Sequence, residues 1–121
     1  MGEEVTIDRE HRCILVRSWG VPSLAEMDAT LSRIARLRAE SGFDSVLVDS
    51  RARTAAPSLA EMMAGGRMVG ERLGPAARIA VLVERLEDGQ VYFRVTAAGQ
   101  GAAVAYFDHE ARARAWLRES D

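Results

Sequence analysis

Two segments near the start of the chain have the apolar and polar pattern of β-strands. Val5 and Ile7 alternate with polar residues, and the segment Arg12–Trp19 is rich in branched and aromatic side chains. The polar run 8–11 between them fits a hairpin turn. The chain is therefore predicted to open with an antiparallel pair of strands.

The hexapeptide Pro-Ser-Leu-Ala-Glu-Met occurs twice, and each copy predicts the start of a helix. In each copy a serine precedes a glutamate by three residues, Ser23 with Glu26 and Ser58 with Glu61, which is the spacing of a capping box. Apolar residues follow at helical spacing, and Gly42 is expected to end the first helix. The sequences diverge beyond the hexapeptide, which indicates two similar helix starts and not a duplicated domain.

Three short apolar runs predict further strands, at residues 45–49, 78–83 and 103–107. A loop is expected over 51–56, and a last helix is expected with Asp108 as its N-cap. The segment 88–100 fits a strand by local propensity and a helix by spacing. We favour the helix, with Asp88 as its cap, because it preserves the alternation of strands and helices.

These elements predict one α/β domain over residues 1–121. It would contain a mixed five-stranded sheet, with an N-terminal antiparallel hairpin and the remaining strands parallel, covered by about four helices. The hydrophobic share of 48% and the charged share of 28% are those of a globular protein. No apolar run approaches the roughly 18 residues of a membrane span, so none is expected.

The charged residues argue against several functions. The net charge is -2 and the arginines are interspersed with acidic residues, so a nucleic-acid partner is not expected. All 16 basic residues are arginine, which excludes lysine Schiff-base chemistry.

Candidate catalytic and metal-binding residues do not form recognisable sets. His11 and His109 lack the spacing of a metal site or a triad, and Asp44 and Asp49 lie at opposite ends of a predicted strand. We therefore expect a protein without catalytic residues, metal or cofactor. Cys13 sits in an apolar run, so we expect a buried thiol and a reducing cytoplasmic location.

The order of the predicted elements resembles the STAS-like domains, small bacterial domains related to anti-sigma-factor antagonists. The segment Val104–Leu117 carries most of the resemblance, because it joins a final strand, an acidic helix cap and an Ala-rich helix ending in Trp-Leu. The resemblance implies a regulatory or protein-interaction domain that binds a protein partner or a second copy of itself. Some members are also described as similar to lipid-binding domains.

Signalling members of that group carry a phosphorylated serine in an Asp-Ser-Ser-Gly sequence after a central strand. The corresponding segment here, residues 49–58, lacks that sequence. Ser58 occupies the comparable position by element order alone.

The first candidate site is a ligand or partner loop formed by Asp49, Ser50, Arg51, Arg53 and Ser58. It follows a predicted central strand, at the sheet edge where open α/β proteins bind ligands. Arg51 or Arg53 would hold a phosphate or carboxylate near the start of the next helix. The alternatives are that both arginines are solvated loop charges and that Ser58 is a helix cap only.

The second candidate site is an apolar groove on the second predicted helix, formed by Met62, Met63, Gly66 and Gly70. Small and flexible apolar side chains there would admit an apolar ligand or another subunit. The alternative is that the glycines serve close helix packing.

Two hypotheses for function follow. The first, which the resemblance implies and the lack of a catalytic set supports, is a non-catalytic STAS-like interaction module. The second is a carrier of a small apolar or lipid-like ligand bound between sheet and helices.

Overall fold

The computed structural model describes residues 2–54, 58–86, 90–99 and 101–119. The strands are β1 (Gly2–Asp8), β2 (Cys13–Gly20), β3 (Ser45–Arg53), β4 (Arg78–Leu82) and β5 (Ala103–Phe107). The helices are α1 (Leu24–Ser41), α2 (Leu59–Leu73), α3 (Gln90–Ala98) and α4 (Glu110–Arg118). In this part of the chain, no helix has both the length and the apolar character needed to cross a bilayer.

The five strands form one sheet in chain order, β1-β2-β3-β4-β5. The β1–β2 pair is antiparallel and the other pairs are parallel, so the predicted fold class is confirmed. Val46 pairs with Ile79 and Val48 with Val81, which makes β3 and β4 direct neighbours. The helix favoured within 88–100 is confirmed as α3, while its expected cap Asp88 lies outside the described residues.

The larger core lies on the face of the sheet that α1, α2 and α3 cover. It contains alternate residues of the strands, such as Ile14, Val16 and Val46, packed against Leu31 and Val69 of the helices. Alternation directs neighbouring strand residues to the opposite face, where Leu47 and Ala80 pack beneath α4. The apolar part of β3 and strand β4 are therefore covered on both faces, as their apolar sequences predicted.

Helices α1 and α2 begin with the two predicted capping boxes. The amide of Glu26 donates to Ser23 Oγ over 3.1 Å, and the amide of Glu61 donates to Ser58 Oγ over 3.2 Å. In return, each glutamate side chain accepts from the serine amide. Helix α1 ends at Gly42, whose φ of 77° lies in the left-handed region that glycine tolerates.

Helix α4 begins later than predicted, because the chain bends through residues 108–109 after leaving β5. Its N-cap is His109, without a side-chain capping bond, so the prediction of Asp108 as N-cap is wrong. The helix is held on the sheet through Trp116. The Arg78 guanidinium lies 3.9 Å from the centre of the Trp116 ring and donates to its backbone carbonyl.

Strand β3 is longer than predicted, and the expected loop over 51–56 is wrong for Arg51–Arg53. The extension forms because β2 continues to Gly20 and supplies a partner, with Trp19 opposite Ala52 and Gly20 opposite Arg53. The register shifts between Arg17 and Trp19, so that β3 carries one extra residue there. Such a bulge changes which face the following side chains point to. Residues 55–57 lie outside the described chain.

The cap of α2 gives a test of this local structure. Replacing Ser58 with Ala should lower the free energy of unfolding by about 1 kcal/mol, because one helix amide loses its acceptor. Ser58→Asp retains an acceptor oxygen and should stay close to the wild type. Urea denaturation measures both variants. Equal loss in both would show that the hydroxyl's capping bond is not what stabilises this helix start.

Candidate functional site

A cleft of about 340 Å³ lies between the sheet and helices α1 and α2. Its inner part is apolar and is lined by Val16, Val46 and Ile79 of the sheet and by Leu31, Val69 and Leu73 of the helices. Protein interiors contain few voids larger than a water molecule, and this volume is within the range of small-molecule pockets. The cleft is therefore the leading candidate for a ligand site.

One end of the cleft is polar and is formed by Glu3, Ser50 and Arg53, here called the polar end. Arg53 Nε donates to Ser18 Oγ over 2.8 Å, and its Nη2 lies 3.5 Å from Glu3 Oε2. The bulge in β3 explains this position, since strict alternation from Leu47 would place Arg53 on the α4 face. The bulge instead directs a guanidinium into the cleft.

Two buried atoms of the polar end lack a hydrogen-bond partner within residues 2–54, 58–86, 90–99 and 101–119. They are the hydroxyl oxygen of Ser50 and the Oε1 atom of Glu3. Ser50 is 8% exposed and the Glu3 side chain 5% exposed, so bulk water does not solvate them freely. Buried polar groups are nearly always paired in proteins, which makes these two atoms notable at a cleft wall.

Tyr106 contributes a phenol to the same cleft. Burial raises the pKa of Tyr106 well above its ordinary value, and the nearby Arg53 opposes this only in part. The phenol is therefore neutral at physiological pH, and it adds no charge to the site.

Arg51 reaches the mouth of the cleft, but its guanidinium is engaged by carboxylates. Its Nε and Nη2 donate to the two oxygens of Asp49 over 3.0 and 2.9 Å, and Nη2 also lies 3.4 Å from Glu110. The hydrogen bonds from Arg51 hold the pKa of the Asp49 carboxyl below its usual value. This arrangement does not favour the predicted use of Arg51 as an anion ligand.

The structure places the five residues of the predicted loop in different environments. The cleft is lined by Ser50, Arg51 and Arg53 but not by Asp49, and Ser58 caps α2. The predicted loop is therefore mostly strand, and only part of it reaches a common site.

The structure also divides the predicted apolar groove. Met62 lines the cleft, whereas Met63 is exposed on the outer side of α2. Gly66 and Gly70 are buried in α2, which packs between α1 and α3, but neither lines the cleft. Consecutive helical residues differ by about 100° in direction, and here this difference takes Met63 out of the cleft that Met62 lines.

Sequence reasoning missed Glu3 and Tyr106. Glu3 lies two residues before the buried Val5, so both side chains point to the sheet face that α1 and α2 cover. Strand alternation could therefore have identified an inward carboxylate. Tyr106 could have been found in the same way from the buried Val104. Neither pattern reveals that Arg53 lies beside them.

A second depression, of about 550 Å³, lies at the opposite end of the sheet and is lined mainly by exposed turn residues. His11 and Asp8, in or beside that turn, form a hydrogen bond of 2.7 Å. Cys13 is buried there as predicted, and burial raises its thiol pKa, which lowers its reactivity. The hydrogen bond and the buried side chain stabilise this turn without a ligand.

Comparisons with known protein families, with curated proteins and with solved structures found no match to this chain.

The Asp49–Arg51 pair predicts a pH effect on stability. Because the folded-state pKa of Asp49 is below its ordinary 3.8, the pair stabilises the fold fully above that pH. The contribution disappears as the pH falls through the lowered pKa, where the carboxyl gains a proton. Asp49→Asn should therefore lower the free energy of unfolding by up to ~1 kcal/mol at neutral pH, and the difference from the wild type should vanish in strong acid.

Urea denaturation over a series of pH values measures this effect. The exposed Asp108 provides a control, since Asp108→Asn should change stability little at neutral pH. A difference between Asp49→Asn and the wild type that persists in strong acid would contradict the electrostatic explanation.

Proposed function

We propose that this protein binds a small apolar or lipid-like molecule in the cleft between the sheet and helices α1 and α2. The single observation that carries the proposal is a cleft of about 340 Å³ with an apolar interior and a polar end. Ligand sites in proteins commonly combine apolar walls with a few polar groups that orient the ligand.

The charges at the cleft support an apolar ligand over an ionic one. Arg51 is paired with Asp49, and Arg53 lies beside Glu3. The guanidinium groups of Arg51 and Arg53 are thus each paired with a carboxylate, and the phenol of Tyr106 is neutral. A free anion would have to compete with carboxylates that are already in place, whereas an apolar chain gains from burial against the inner walls.

A variant that fills the cleft tests the proposal. Thr30 is half-buried on α1 and lines the cleft, so Thr30→Phe should occupy part of its volume. The neutral fluorescent probe N-phenyl-naphthylamine should bind the wild type and should lose at least about tenfold in affinity in this variant. Fluorescence titration measures both affinities.

The chain offers a matched control for this substitution. Thr6 is exposed on β1 and lies on the sheet face opposite to the cleft, so Thr6→Phe should bind the probe as the wild type does. Circular dichroism verifies that both variants are folded. Unchanged affinity in folded Thr30→Phe, or failure of the wild type to bind the probe, would overturn the proposal.

A second candidate function is a protein-interaction module that pairs with another copy of itself. Leu59 and Met63 lie one turn apart on α2 and are 50% and 38% exposed. Together they form an apolar strip at the start of the helix. Such a strip, more than isolated exposed apolar residues, is typical of a contact surface.

The oligomeric state tests this second candidate. The double variant Leu59→Ser and Met63→Ser should weaken self-association by at least about tenfold in analytical ultracentrifugation, because the apolar strip is lost. Val21→Ser changes an equally exposed apolar residue before α1 and should leave association unchanged. A wild-type chain that is monomeric at all concentrations tested would exclude self-association through α2.

A further inference from the structure

The polar end of the cleft presents hydrogen-bonding groups that the described fold does not use. Glu3 Oε1 and Ser50 Oγ have no partner among the described residues, although the side chains of both residues are more than nine-tenths buried. Both residues line the cleft, on the face of the sheet that α1 and α2 cover. Both groups therefore belong to the wall of the cleft.

The chemistry of the two groups limits what they can bind. An ionised carboxylate only accepts hydrogen bonds, so Glu3 Oε1 requires a donor. A serine hydroxyl can donate or accept. A hydroxyl group on the ligand can satisfy either of them, whereas an ether or a hydrocarbon can give nothing to Glu3.

The charge at the polar end argues for a neutral donor. The guanidinium of Arg53 lies 3.5 Å from the other oxygen of Glu3, so the pair carries no net charge. A ligand ammonium or carboxylate would lose its hydration in the cleft without a net opposite charge to compensate for the loss. A neutral hydroxyl avoids this penalty.

We propose that the polar end of the cleft, through Glu3 and Ser50, selects amphipathic ligands that carry a neutral hydroxyl group over ligands of the same length that lack a donor or carry a charge. This inference rests on the proposed function, since it assigns a ligand class to the same cleft. It predicts an alcohol as the preferred head group of a lipid-like ligand.

A competition experiment tests the preference with matched ligands. N-phenyl-naphthylamine bound to the wild-type protein is displaced by n-decanol, by decyl methyl ether and by decanoate. The alcohol should bind at least about tenfold more tightly than the ether, because only the alcohol can donate to a buried carboxylate. It should also bind more tightly than decanoate.

Two variants attribute that preference to named residues. Glu3→Met removes the acceptor at similar side-chain length and should reduce the preference for alcohol over ether to about one. Glu4→Met changes the adjacent, exposed glutamate and should keep the full preference. Ser50→Ala removes only one oxygen and should reduce the preference in part. This variant provides the test if Glu3→Met does not fold.

The outcomes separate this inference from the proposed function. Equal binding of alcohol and ether by the wild type, or tightest binding of decanoate, would overturn the hydroxyl preference while displacement still supports a ligand cleft. A preference that survives in Ser50→Ala and in folded Glu3→Met would also overturn it. Failure of the probe to bind the wild type would overturn both.

Discussion

The way the chain crosses between parallel strands is the constraint on which the rest of this structure depends. Three successive crossovers join β2 to β3, β3 to β4 and β4 to β5, always toward the same edge of the sheet. Because such crossovers are nearly always right-handed, helices inserted in one direction lie on the same face. Helices α1, α2 and α3 therefore share one side, and α4 is left to cover the other side. This asymmetry places the main core and the cleft in the same layer.

The same constraint explains why the cleft is not a crevice at a reversal of strand order, the feature that opens a ligand site in many α/β sheets. That location requires a reversal of strand order among the parallel strands, and here the strands follow one another without a reversal. The space available to a ligand lies instead between the helices and the sheet. The bulge in β3 then gives this space its polar character, because it places Arg53 beside Glu3 and Ser18 and not on the opposite face.

Much of the fold could be predicted from the sequence because local rules and tertiary structure agree. The serine caps, the apolar strands and the alternation of strands with helices each predict the same architecture. The errors occur where contacts with residues far along the chain determine the position of a side chain. The sequence predicts a loop at Arg51 and Arg53, but β2 extends far enough to pair with them. It also predicts one groove for Met62 and Met63, but only Met62 lines the cleft. Glu3 could be placed on the inner face by alternation, but its contact with Arg53 depends on pairing across 50 positions of the chain.

The position of Glu3 on β1 links the cleft to an edge strand of the sheet. Within the part of the chain that the structure describes, β1 pairs on one edge only, with β2, while β2, β3 and β4 have neighbours on both sides. Edge strands of this kind open locally at lower free energy than central strands. A molecule held by Glu3 would thus fasten the edge strand to the body of the domain. Occupancy of the cleft and protection of the β1 amides from hydrogen exchange are consequently two measures of one coupled equilibrium.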